Sequence, residues 1–424
     1  AIAEQYLLDA IDKDISITAS DVFIYDTSKD SDGGAWRKRT QHTSWYNETL
    51  NTSTRGARKE FPSVAVIVAE SAQVTIYDGD DPDMPMWMVC TVSSNQFWIR
   101  SGAANRHAVA LNGIMMVGTN GGAVANSLLS RMDFLRDKLE RHFDGGAHQI
   151  DETGIVRRNN TFEITSNGTQ NIISRYVNDV AMTVLPNAPI DADTGLPVPT
   201  IAAATAGGVS VIKDDGTVVD ITVNNASYTI ARRVNFLSDN SLGMGIGVTN
   251  GVAQESYYIF NTIPTSDNVI TVDNISGTVQ NVDEFYAIQH PNSIVDLQLL
   301  GLDTNRALLS STGNSFASNE GLSIVDRNVG AADKGMVAYV ASDYNTGWMN
   351  GAIKLATLSD TDDTDVSATA TEFLTGNDSS FTSGLGSWVG YNATLSTVNN
   401  ALRVADNGGY STAYQTITTV VGKQ

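Results

Sequence analysis

Residues 24–40, IYDTSKDSDGGAWRKRT, concentrate residue types that do chemistry. Asp26, Asp30 and Asp32 lie around a Gly-Gly pair, and Arg37, Lys38 and Arg39 follow. Carboxylates this dense can coordinate calcium, which takes oxygen ligands. A helix-loop-helix calcium loop needs Gly at its sixth position and Glu at its twelfth. Counted from Asp26, those positions are Ser31 and Arg37, so the motif fails twice. Asp30 and Asp32 stay candidates for an irregular calcium site, but a solvated hairpin tip is the expectation. Asp191 to Gly195 (DADTG) and Asp360 to Asp365 (DTDDTD) read as turn and linker acids. Weak structural calcium is the most such segments offer, and no cofactor is expected.

The five histidines are His42, His107, His142, His148 and His290. None pairs at tight metal-ligand spacing; His142 and His148 form a loose pair beside Gly145-Gly146, and zinc is not expected. No nucleophile elbow, phosphate-binding loop or dinucleotide fingerprint occurs. A glycosidase needs two carboxylates across a cleft, and nothing singles out a pair among 47 acids. Catalytic, cofactor and metal residues are therefore all read as none. Cys90, the one cysteine, sits in the apolar run MWMVC and reads as a buried spectator. The basic residues Arg37, Lys38, Arg39, Arg55, Arg58 and Lys59 read as exposed strand and loop, with docking onto an acidic subunit as the sharper alternative.

The 424 residues carry a formal charge of −21. Nucleic acid is excluded as a partner, because phosphate binding rests on excess Lys and Arg. No apolar stretch approaches a membrane span, and no signal peptide is visible in the first residues.

The elements that must position these residues are mostly strands. Runs such as SVAVIVAE, VTIYDGDD and GMVAYVAS alternate with Gly, Asn and Asp turns. Asp215-Gly216 between VSVIKD and TVVDI predicts a tight hairpin. Residues 1–14 read as a short helical segment. One exposed helix is expected over residues 126–146, with Leu128, Met132, Leu135, Leu139 and Phe143 at helical spacing. The opening segment recurs: Ile24-Tyr25-Asp26 leads to Trp36, and Ile76-Tyr77-Asp78 leads to Trp87. The two tyrosines lie 52 positions apart, an interval that stacked four-stranded blades produce. The expected fold is mainly β: a β-propeller of five to seven blades over residues 15–358. Its first hairpin would pair with strands around 336–358 to close the ring, and small-residue runs such as IAAATAGG would form its inner strands. Residues 359–372 read as an acidic linker.

The segment 373–424 contains GNDSSFTSGLGSW, then ALRVAD, then AYQTITTVVGKQ. It resembles the front half of the carbohydrate-binding-module jelly rolls fused to glycoside hydrolases. That resemblance implies a β-sandwich that continues beyond Gln424. Trp388 and Tyr391 read as its core aromatics, with a sugar-stacking platform as the alternative. The block from GGAWRKRT to PMWMV is similar to phage-encoded structural proteins of aquatic viruses. The resemblance implies a structural component of a bacteriophage tail or fibre, located on the virion and extracellular. Its partners would be other virion proteins, copies of itself and a host-surface glycan. The alternative is a secreted propeller-type carbohydrate-active enzyme with an appended carbohydrate-binding module.

Overall fold

The computed structural model describes residues 18–91, 98–99, 104–120, 127–144, 148–224, 229–247, 254–272, 279–289, 296–303, 306–312, 320–326 and 336–342 of the chain, and further stretches within 385–414. The chain forms two compact units, residues 1–357 and 358–424. The predicted N-terminal helical segment and the predicted linker lie outside the described residues.

The first unit is a succession of antiparallel sheets. Sheet one holds β1 (Ala19–Asp26), β2 (Val64–Glu70), β3 (Gln73–Asp78) and β4 (Met86–Thr91) in chain order. Sheet two runs from β5 (Ala104–Leu111) through β6 (Ile114–Asn120), β7 (Leu129–Asp133), β8 (Lys138–His142) and β9 (His148–Asp151) to β10 (Ser166–Gly168). Sheet three holds β11 (Val177–Thr183), β12 (Thr200–Thr205), β13 (Gly208–Ile212) and β14 (Val218–Val223). Sheet four begins with β15 (Ile230–Phe236), β16 (Leu242–Gly247) and β17 (Gln254–Phe260). The chain then adds β18 (Asn268–Val272), parallel to β14, and β19 (Val279–Gln280) to sheet three before β20 (Glu284–Gln289) completes sheet four. Sheet five holds β21 (Asp296–Asp303), β22 (Arg306–Thr312), β23 (Glu320–Asp326) and β24 (Met336–Ser342).

Each sheet's first strand lies against that of the next: β1 on β5, β5 on β11, β11 on β15, β15 on β21. This is a propeller-type arrangement, and the cores lie between successive sheets. Apolar residues of sheets one and two form one cluster, those of sheets two and three a second, and those of sheets three and four a third. Strand β12 shows why its sequence lacks polar alternation. Ile201 and Ala203 face sheet two, while Ala202 and Ala204 face sheet four, so both faces are buried. The Asp215-Gly216 hairpin forms as predicted, joining β13 to β14 with Gly216 at φ +82°.

Four expectations are corrected. The segment predicted as an exposed helix is the buried hairpin β7–β8. Its charged residues are not a solvated face; they neutralise one another inside the sheet, Arg131 lying 3.4 Å from Asp133 and 3.6 Å from Glu140. The hairpin turns because the Asp133 carboxylate accepts from the backbone N–H of Leu135 and Arg136, and Asp137 takes a left-handed φ of 56°. Secondly, the Ile-Tyr-Asp recurrence does not mark successive blades, since β1 and β3 belong to the same sheet. Only the second copy is a hairpin. After Asp26 the chain leaves the sheet until β2, and Trp36 sits in a 3-10 turn, Ala35–Arg39. Thirdly, β1 pairs with β2 and β24 with β23, so the first strand does not complete the last described sheet. Finally, the small-residue run predicted for an inner strand is β12, second in its sheet.

The excursion between β1 and β2 fills the first core. Trp36, Trp45 and Phe61 are wholly buried; Trp45 and Phe61 meet Trp87 and Phe134 edge to face at centroid separations from 4.8 to 5.7 Å, while Trp36 is tilted on Phe61 at 5.2 Å and stacks on Phe134 at 6.5 Å.

The second unit contains β25 (Val389–Tyr391) paired with β28 (Thr412–Tyr414), and β26 (Ala393–Val398) paired with β27 (Ala401–Asp406). Tyr391 is 59% exposed, which corrects its reading as a core aromatic; Trp388 is half-buried.

Candidate functional site

The first strands of sheets one to four border a cleft of about 540 Å³. Its lining joins apolar residues such as Val22, Ile24, Val109 and Met182 to a row of charged residues. That row has a backbone origin. Each first strand carries a register shift near its start: Ala19/Asp21 in β1, Asn105/His107 in β5, Val177/Asp179 in β11 and Ala231/Arg233 in β15. The residue at which the register resumes is charged or titratable in all four, and the row reads Asp21, His107, Asp179, Arg233. A bulge takes a residue out of the ladder and re-aims its neighbours.

The row is bonded across sheets. Asp21 Oδ2 accepts from the backbone N–H of Ala108 at 2.8 Å and lies 3.5 Å from His107 Nδ1. His107 Nε2 lies 3.1 Å from Asp179 Oδ1. Asp179 accepts from the backbone N–H of Val234 at 2.9 Å. Burial pushes the Asp179 carboxyl up, and nearby His107 and Arg233 oppose that.

Asp30 borders the same cleft and is not the tip of a solvated loop. It is 6% exposed and accepts from Tyr25 Oη at 2.7 Å, Trp36 Nε1 at 2.7 Å and the Asn112 backbone N–H at 2.7 Å. Burial raises its carboxyl above the usual range. Asp26 caps Ser28, and Asp32 pairs with Arg39 at 2.9 Å. Each of the three carboxylates is thus engaged by donors of the chain itself. Asp191 pairs with Arg136 and caps Asp193 and Thr194; the predicted acids at 360–365 lie outside the described residues.

The histidines disperse. His42 is exposed, and its Nδ1 lies 3.1 Å from the Arg39 carbonyl. His290 lies outside the described residues. The loose His142/His148 pair closes into a buried cluster with Glu140, brought together because β8 and β9 pair in register. His148 Nε2 lies 3.0 Å and His142 Nε2 3.9 Å from Glu140 Oε2, while His142 Nδ1 donates to the Gln170 carbonyl at 2.9 Å. A metal would have to sit in the plane of each ring, along the nitrogen lone pair. Here the rings stack at 4.3 Å with an interplanar angle of 9°, and ring planes so nearly parallel do not aim both lone pairs at one point about 2 Å from each nitrogen. The Arg131 guanidinium, already on Glu140, competes for the same carboxylate. The cluster is a stacked imidazole pair beside an ionised Glu. Burial, followed by His148, lowers His142 to about 3. Burial opposes ionisation of Glu140, but Arg131 and the His148 hydrogen bond outweigh it and hold the carboxyl below its usual range.

Most of the basic residues noted in the sequence are committed internally. Arg55 is wholly buried, stacked 4.3 Å over Trp87 and lowered to about 10 by burial. Arg58 binds Asp78 and Asp80, Arg37 donates to the Phe61 carbonyl, and Lys59 lies over the Tyr46 ring. Lys38 is exposed. Cys90 is buried in β4, and burial pushes its thiol up to about 12.

Sequence reasoning did not find the Asp21–His107–Asp179–Arg233 row. Its trace is a polar residue, then a charged or titratable one, then an apolar one: Ser20-Asp21-Val22, Arg106-His107-Ala108, Asn178-Asp179-Val180, Arg232-Arg233-Val234. Two copies share Asp-Val, but no residue is common to all four, so strand register is what aligns them.

No family model matches the chain, and no curated protein matches it. Among solved structures it is similar to the Dos1 propeller at 9% identity, covering 66% of this chain and 58% of that one, with a TM-score of 0.33. It is similar to the Vanderwaltozyma polyspora Nup133 β-propeller domain at 8% identity, covering 66% and 84%, with a TM-score of 0.29. The phage phi92 endosialidase is similar at 9% identity, covering 67% and 55%, with a TM-score of 0.30. Likenesses this distant carry no argument about function.

Proposed function

We propose that the chain is a non-enzymatic scaffold, a structural component of a bacteriophage tail or fibre. A propeller of five blades would form its body, and the second unit would face a partner or a host-surface glycan. One observation carries this reading: the carboxylates lining the cleft are engaged in structural bonds. Asp21 and Asp179 hold backbone N–H groups of the next sheet, Asp26 caps a turn, and Asp30 takes three donors. Acid–base chemistry needs a carboxyl within reach of a substrate proton, and Asp21, Asp30 and Asp179 are each committed to donors of the chain. The phage-like N-terminal block supports the virion setting. Sedimentation velocity of the full chain tests the reading. A closed homo-oligomer, or assembly with other virion proteins, is the expected result; a lone 45.3 kDa species under all conditions would overturn it.

A second reading, a carbohydrate-active enzyme, draws on the cleft itself, whose volume suits a sugar and whose wall holds four carboxylates. Hydrolysis of a glycan panel that is abolished in Asp179→Asn would establish it against the scaffold.

A further inference from the structure

We infer that the charged row at the strand bulges is a continuous belt that couples sheets one to four into a single opening unit. The bonds run without interruption from sheet to sheet. The carboxylate of Asp21 on β1 holds the Ala108 amide of β5 at 2.8 Å. The adjacent His107 holds Asp179 of β11 at 3.1 Å, and Asp179 holds the Val234 amide of β15 at 2.9 Å. The two carboxylate-to-amide ties are equivalent in register. In each, the acid is the residue at which its own strand resumes pairing, and the amide belongs to the residue after the resumption point of the next strand. Repeated geometry at a repeated bulge is a designed feature of such strands.

The ties use what the sheet edges make available. Strands β5 and β15 are edges of their sheets, so an amide of an in-register residue that faces outward, as at Ala108 and Val234, needs another acceptor. A carboxylate accepts strongly from such an amide. His107 is the link that makes two ties one belt. It is 28% exposed at the cleft wall, and its imidazole reaches toward Asp21 on one side and Asp179 on the other. In sheet five the first strand shifts register at its far end instead, at Gly301/Asp303, so the row is confined to sheets one to four among the described residues.

Coupling separates this belt from two unrelated local bonds. His107 accepts from neither Ala108 nor Val234. If the sheets open together, removing His107 loosens both amides at once. Native-state hydrogen exchange of the full chain reads this amide by amide. In Asp21→Asn the Ala108 amide, and in Asp179→Asn the Val234 amide, should exchange faster by about tenfold or more. In His107→Ala both should accelerate together while β3, β13 and β16 amides keep wild-type rates. Unchanged exchange at both positions in His107→Ala overturns the belt, and so does acceleration of one alone. If His107→Ala does not fold, His107→Gln gives the same reading, since its amide cannot span both carboxylates. This outcome is independent of oligomerisation, so it can fail while the scaffold reading stands.

Discussion

Asp30 concentrates more local stability than any other acid of its loop, because three donors from separate segments end on one buried carboxylate. Asp30→Asn places an amide donor against Tyr25 or Trp36 and should cost about 1–3 kcal/mol by urea denaturation. Asp193, whose side chain is 80% exposed, is the control, and Asp193→Ala should stay within about 0.5 kcal/mol. Equal losses would mean that Asp30 is no hub. His142 supplies a pH dependence. Its folded value of about 3 lies below the unfolded value of about 6.5, so the unfolded chain binds the proton first. Stability from this group is therefore present above pH ~6.5 and falls toward pH ~3 with a slope of up to about 1.4 kcal/mol per pH unit. The raised carboxyls of Asp30, Asp133 and Asp179 act in the opposite direction. The difference between wild type and His142→Gln isolates the histidine, and denaturation midpoints that run parallel from pH 7 to 4 would refute the assignment. The ring stacking yields a companion expectation. Zinc in tenfold excess should leave Tm unchanged, whereas specific binding to the folded state would raise it.

At the scale of elements, turns and bulges do more than the strands they join. The β5–β6 turn, Asn112-Gly113, has both residues at positive φ, 51° and 72°. It also docks on the first sheet: the Gly113 N–H donates to Tyr25 Oη, and the Asn112 carboxamide meets Ser31 and Pro197. A Cβ at Gly113 would press inside contact distance of Leu135 and stand 3.2 Å from the Trp36 ring. Gly113→Ala should thus cost about 1–3 kcal/mol, more than backbone strain alone. Denaturation within 0.5 kcal/mol of wild type would show that the turn is not packed as described. The β7–β8 hairpin teaches a related lesson. Its apolar residues fit a helical period, yet Arg131, Glu140 and His142 are buried and the chain reverses at Asp133–Asp137.

For the whole molecule, a charge of −21 sets a self-repulsion that compactness has to overcome. Most buried ion pairs are short-range and weakly screened, while the net repulsion is long-range and strongly screened. Raising sodium chloride from about 0.05 to 0.5 M should therefore raise Tm by a few degrees. A fall would mean that surface ion pairs, not net charge, dominate. The two compact units divide near residue 357. The apolar clusters alternate with sheets in the first unit, so its stability resides in sheet-to-sheet packing and in the ties at the first strands.

Composition, period-2 runs and turn chemistry alone determined that this chain is mainly β, and placed β2, β3, β13, β14 and β24 close to where they form. Strand patterning is a local property, set by one or two buried faces. The sequence also marked residues 24–40 as unusual, although it assigned the segment to solvent. What only the tertiary structure decided was partnership. Trp36 and Asp30 leave the hairpin pattern because three aromatics from the excursion after β1 fill the gap between two sheets. The His142–His148 stack depends on β8–β9 register, and the row from Asp21 to Arg233 depends on four bulges falling at one level. Residues far apart in the chain, with no motif common to all of them, meet there through backbone register, and register is fixed by long-range packing that no local pattern contains.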